Sequence, residues 1–131
     1  MNPTVIMQTI NEEFVRCRCV DTVRSINAGN CYHWAYIAHR LIGGQIYYNE
    51  YHACLKLKGR YYDAERLDGV DDPEELRTFS FWGVDNLRRA QTISQFRSFW
   101  KRNGTYGWKA DLCRDILAEI RTNRILGIKN Q

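Results

Sequence analysis

Only 2 prolines and 9 glycines occur in 131 residues, too few for a disordered linker chain or a collagen-like repeat. No stretch approaches the ~20 consecutive apolar residues of a membrane-spanning helix, so no membrane association is expected. Met1-Asn2-Pro3-Thr4 lacks a basic segment followed by an apolar run, the pattern of a secretory signal, and the expected location is cytoplasmic. Also missing are a phosphate-binding glycine loop, a dinucleotide fingerprint, an HExxH pair and any CxxC pair. No cofactor and no metal is therefore expected. His33 and His39, taken with Cys17, Cys19 and Cys31, do not fall at structural-zinc spacings. The 5 cysteines are odd in number and irregularly spaced, which argues against a disulfide framework. They pose a narrower question: which thiol, if any, is activated.

What the chain does have is an ordinary globular composition, 44% apolar and 26% charged, and a length that suits one domain over residues 1–131. Charge is unevenly placed. Residues 1–75 hold 8 Lys/Arg against 11 Asp/Glu, whereas residues 76–131 hold 11 against 4, giving the net +4. The basic part suits an acidic partner or nucleic acid, although solvated helix faces account for it more simply.

Ile6, Ile10 and Phe14 recur at helical spacing and predict a helix from Thr4 to about Val15. Ile26 to Asn30 is expected to be a loop. A second helix should start after Asn30, a good N-cap, and stop at Gly43-Gly44. Its inward side carries Cys31, Trp34, Ala35, Ala38, Leu41 and Ile42, with His33, Tyr36 and Arg40 elsewhere. Gln45–Tyr48 predicts a strand. Tyr51–Leu57 and Arg60–Ala64 predict a hairpin turning at Lys58-Gly59. Asp68 to Glu75 is expected to be an acidic loop, with Pro73 opening a helical turn. Beyond it, helices are expected: Leu87, Ala90 and Ile93 continued by Phe96, Phe99 and Trp100, then Leu112, Ile116, Leu117 and Ile120, with a frayed tail over 127–131. The fold class is α+β, with a core at about 26–66 and a C-terminal helical part at about 73–126.

A cysteine is nucleophilic as thiolate, and a helix N-terminus or a neighbouring imidazolium favours that form. Cys31 follows the expected cap, where amides unused within the helix, its own among them, are also placed to hold an oxyanion. Cys17, Cys19 and Cys113 have no such placement, and Cys54 falls inside a strand. With Lys58-Gly59 as a two-residue turn, Leu57 pairs with Arg60, Leu55 with Tyr62 and Cys54 with Asp63. His52 and Asp63 then become diagonal neighbours on one face, within reach of an imidazole–carboxylate bond. A three-residue turn would reverse the parity and separate them.

The segments Gly29-Asn30-Cys31-Tyr32-His33-Trp34-Ala35, His52-Ala53-Cys54-Leu55-Lys56-Leu57 and Gly59-Arg60-Tyr61-Tyr62-Asp63 resemble the core of the papain-like, transglutaminase-like cysteine enzymes. NlpC/P60 peptidases are a related possibility. The resemblance spans Gly29 to Glu65 and implies a compact core, with a helix-start Cys packed on a small antiparallel sheet. It implies Cys31 as nucleophile, His52 as base and Asp63 as the residue orienting it. Acyl transfer would proceed through a thioester, as in a peptidase, an amidase or deamidase, or a transglutaminase, on a protein or peptide substrate. Ser25 stands where papain-type enzymes carry an oxyanion glutamine, six residues before Cys31, which leaves Asn27 or Asn30 for that role. Tyr32 is a candidate for shaping the substrate pocket.

Two other readings compete. One is a non-enzymatic inhibitor or adaptor on the same scaffold. The other, weaker, is nucleic-acid binding through Arg88, Arg89, Arg97, Lys101 and Arg102 interleaved with aromatic residues such as Phe79, Phe81, Trp82, Phe96, Phe99, Trp100, Tyr106 and Trp108. Aromatic residues at helical spacing are expected to be core.

Overall fold

A computed structural model describes residues 2–16, 22–76, 86–103 and 110–129. The chain order is α1 (Pro3–Arg16), α2 (Val23–Gly29), α3 (Cys31–Ile42), β1 (Gln45–Tyr48), β2 (Ala53–Leu57), β3 (Arg60–Asp63), β4 (Arg66–Val70), a 3₁₀ turn Pro73–Leu76, β5 (Arg88–Arg89), α4 (Ile93–Asn103) and α5 (Ala110–Lys129). The strands form one antiparallel sheet in the order β4-β3-β2-β1-β5. This is the α+β class expected. Among the described residues, no helix is long and apolar enough to cross a membrane.

Alternation along β1 and β2 divides the apolar side chains between two faces. Ile46, Tyr48, Ala53 and Leu55 join the main core, which Ile6, Met7, Ile10 and Phe14 of α1, Trp34 and Ile37 of α3, Phe96 and Trp100 of α4, and Ile116 and Ile120 of α5 complete. Cys54 and Leu76, with Tyr47, Tyr61, Val70 and Leu87 against them, make a small cluster on the other face. Phe96, Phe99 and Trp100 are thus core, as expected, rather than a stacking platform. Phe79, Phe81, Trp82, Tyr106 and Trp108 lie outside the described residues, as do Cys17 and Cys19.

The β2–β3 turn has the expected two residues. Lys58 and Gly59 both have positive φ, 52° and 81°, the signature of a type I′ turn. The register follows from it: Leu57 opposite Arg60, Lys56 opposite Tyr61, Leu55 opposite Tyr62. Between β3 and β4 the register shifts between Tyr61 and Asp63. Gly69 sits in this irregular stretch at φ +80°, and a Cβ there would lie 2.8 Å from the Tyr62 ring, so the position needs glycine.

Several expectations are corrected. The loop expected at Ile26–Asn30 is largely helix, because Thr22 caps α2 and its hydroxyl accepts from the Ser25 amide at 3.3 Å. The Asn27-Ala28-Gly29-Asn30 signal marks where α2 ends. Asp68–Val70, expected to open the acidic loop, instead form the end of strand β4, Arg66–Val70. It lies at the sheet edge, where half-exposed polar residues blur the alternation. Leu87 and Ala90 do not extend α4. The Ala90 amide donates to the Ile46 carbonyl at 2.8 Å beside the short β5, and α4 starts at Ile93 after a Thr92 hydroxyl that accepts from the Gln95 amide. His33, expected off the inward side of α3, is 1% exposed, with its ring edge-on to Trp100 at 4.2 Å. The cause is α4, which covers that flank. α5 continues through Lys129, beyond the expected start of the frayed tail.

Candidate active site

Cys31 is the first residue of α3, and Asn30 alone separates it from α2. The Asn30 amide donates to the Ile26 carbonyl at 2.7 Å, while the Asn30 carbonyl accepts from the Trp34 amide at 3.0 Å. One residue thus closes one helix and opens the next. Its side chain makes no capping bond, contrary to the sequence expectation, since φ −119° and ψ 17° depart from the extended backbone usual at an N-cap. The amides of Cys31, Tyr32 and His33 precede the first bond of the helical ladder.

His52 is the last residue before β2. Its ring Nε2 lies 3.1 Å from Asp63 Oδ2. Asp63 ends β3 and is fully buried, and its other oxygen accepts from the Glu65 amide at 2.9 Å. The carboxylate therefore fixes the β3–β4 turn and the imidazole together. The Cys31 side chain is close enough to the same ring to favour its charged form, and with Nε2 committed to Asp63, Nδ1 is the nitrogen left to face it. Burial opposes charge on the ring, but Asp63 and Cys31 outweigh it and push the His52 pKa up from 6.5 to about 10. The two-residue turn sets the strand parity that leads His52 and Asp63 to one another.

The other described thiols are free and buried. Burial pushes Cys54 well above the ordinary thiol range, and the Asp63 and Cys31 charges add to the rise. Burial likewise pushes Cys113 up to about 12 against the pull of Arg97.

Of the oxyanion and substrate candidates, Asn27 donates through Nδ2 to Glu65 Oε1 at 3.1 Å. Asn27 Oδ1 and Asn30 Oδ1 are buried without a hydrogen-bond partner. Tyr32 is buried, and its hydroxyl donates to the Asn49 carbonyl. Burial, then the Cys31 charge, pushes the Tyr32 phenol far above its usual range, so it stays a neutral donor.

Two further residues support the site without a motif of their own. Asn11 in α1 donates to the Ala64 carbonyl at 2.9 Å and accepts from Trp34 Nε1 at 2.8 Å, pinning the residue after Asp63 to α3. Asn49 bonds around His52. It stands three residues before His52 in a turn, a place where Asn commonly accepts from backbone amides, and that was the available signal. A groove of about 870 Å³ between α1, the start of α2 and β4 reaches Ala64 and Glu65, yet none of Cys31, His52 and Asp63 lines it.

No protein-family model, curated protein or solved structure matches the chain.

Proposed function

We propose that this protein is a cysteine-dependent acyl-transfer enzyme, a compact member of the papain-like or transglutaminase-like group, with Cys31 as nucleophile. The observation that carries the reading is the His52 imidazole hydrogen-bonded through Nε2 to the buried Asp63 carboxylate, with the Cys31 side chain close enough to favour the charged form of the same ring. The Cys, His, Asp chain order and the helix-start position of Cys31 support it.

In this reading His52 holds the proton that Cys31 has given up, and the thiolate attacks an acyl carbon. Asp63 holds the ring in one tautomer and stabilises the imidazolium. Amides at the start of α3 stabilise the oxyanion, with Asn30 as the adjoining side-chain candidate. Collapse of the intermediate expels an amine that takes the proton from His52, leaving a thioester on Cys31. Water then gives hydrolysis or deamidation, and an amine gives transamidation. A peptide or protein is the substrate class, and the reducing cytoplasm suits a free thiol nucleophile.

The test is the alkylation rate of each cysteine against pH, mapped by mass spectrometry, in wild type and His52→Ala. Cys31 is expected to label ahead of Cys54 and Cys113 at pH 6–7, and to slow about tenfold or more in the variant. Cys31 labelling at an ordinary thiol's rate in both proteins would return the chain to the inhibitor or adaptor reading.

A further inference from the structure

We infer that Asn49 is a positioning residue that sets the His52 ring against Cys31; the inference rests on the acyl-transfer reading and assigns that site a fourth member. β1 and β2 are joined by four residues, Asn49 to His52, between the closing pair Tyr48 and Ala53. The tip of this loop is solvated, with Tyr51 55% exposed, but its two feet, Asn49 and His52, are 2% and 8% exposed. His52 therefore sits outside the sheet ladder, and something else must fix its backbone.

Asn49 does so from both sides of the loop. Its amide donates to the His52 carbonyl at 2.9 Å. Its Oδ1 accepts from the His52 amide at 2.8 Å and from the Tyr51 amide at 2.8 Å. Its carbonyl accepts from the hydroxyl of Tyr32, the residue after Cys31. One buried side chain and its backbone thus join the loop that carries the base to the helix turn that carries the nucleophile. Asn49 acts through the position of His52. Alanine at this position leaves two amides without their acceptor and lets the loop foot shift, and displacements near 1 Å are enough to cost rate in a site of this kind. Aspartate keeps the accepting oxygen.

The test measures Cys31 alkylation against pH in wild type, His52→Ala, Asn49→Ala, Asn49→Asp and Tyr32→Phe, with circular dichroism to establish folding. Asn49→Ala is expected to slow Cys31 labelling at pH 6–7 about tenfold and to move the pH midpoint in the same direction as His52→Ala. Asn49→Asp should stay within about threefold of wild type, and Tyr32→Phe should fall between the two. A general loss of packing would instead speed labelling of the buried Cys54 and Cys113, which the same spectra report. If His52→Ala slows Cys31 but Asn49→Ala keeps the wild-type rate and midpoint, the Asn49 inference fails alone. If His52→Ala itself changes nothing, the acyl-transfer reading fails with it. Should Asn49→Ala not fold, Tyr32→Phe decides: a moved midpoint supports the link, and an unchanged one overturns it.

Discussion

Replacing Asp63 by asparagine isolates the bond on which the site is built. In the wild type, burial disfavours the charged ring, yet the Asp63 and Cys31 side chains hold the His52 pKa at about 10 against an ordinary 6.5. At about 1.4 kcal/mol per pH unit, that preference is on the order of 5 kcal/mol. The folded-state value lies above the unfolded one, so the stabilisation is complete below pH 6.5 and is lost as pH rises towards 10. The Asp63→Asn side chain would keep an oxygen for the Glu65 amide but would turn a neutral group towards Nε2. The His52 midpoint should therefore fall by more than one pH unit in Asp63→Asn. The variant should be less stable than wild type by a few kcal/mol at pH 6, and the gap should narrow as pH rises from the variant's lowered His52 midpoint towards 10. Urea denaturation followed by tryptophan fluorescence at several pH values gives the stability difference, and NMR of the His52 ring gives the midpoint. Titrating groups that do not interact with His52 act on both proteins and cancel in the difference. A gap that stays constant from pH 6 to 10, or a His52 midpoint that does not move, would refute the reasoning.

Two structural substitutions test the frame around the site. Gly69→Ala places a Cβ at positive φ and 2.8 Å from the Tyr62 ring, and should cost about 1–3 kcal/mol in urea unfolding. Trp34→Phe leaves Asn11 Oδ1 without its donor and opens space in the core, a loss of about 2–4 kcal/mol. It should also loosen the turn after Asp63, seen as faster hydrogen exchange at the Glu65 amide.

Much of the site was legible because its parts are local and periodic. The Gly43-Gly44 stop and the inward run from Cys31 to Ile42 define α3. Lys58-Gly59 as a two-residue turn determines which side chains of β2 and β3 share a face, and hence that His52 meets Asp63. A period of two leaves no other parity once the turn length is set. What stayed hidden depended on distant partners. Asn30 ends one helix as it begins another, so its cap signal misled about its side chain. His33 is buried because α4 packs over that flank, which the amphipathic pattern of α3 by itself does not encode. β4 is a polar edge strand, and β5 is two residues that exist by pairing with β1.

The sequence by itself determined the α+β class, the helix that starts at Cys31 and the diagonal placement of His52 and Asp63, since each follows from backbone periodicity and turn length over a few residues. Only the tertiary structure decided that His52 faces Cys31 as well as Asp63, that Asn49 and Tyr32 tie the His52 loop to α3, and that Asn11 anchors the far side. Those contacts join residues 17 to 53 positions apart, and they form only when the helices are packed against the sheet.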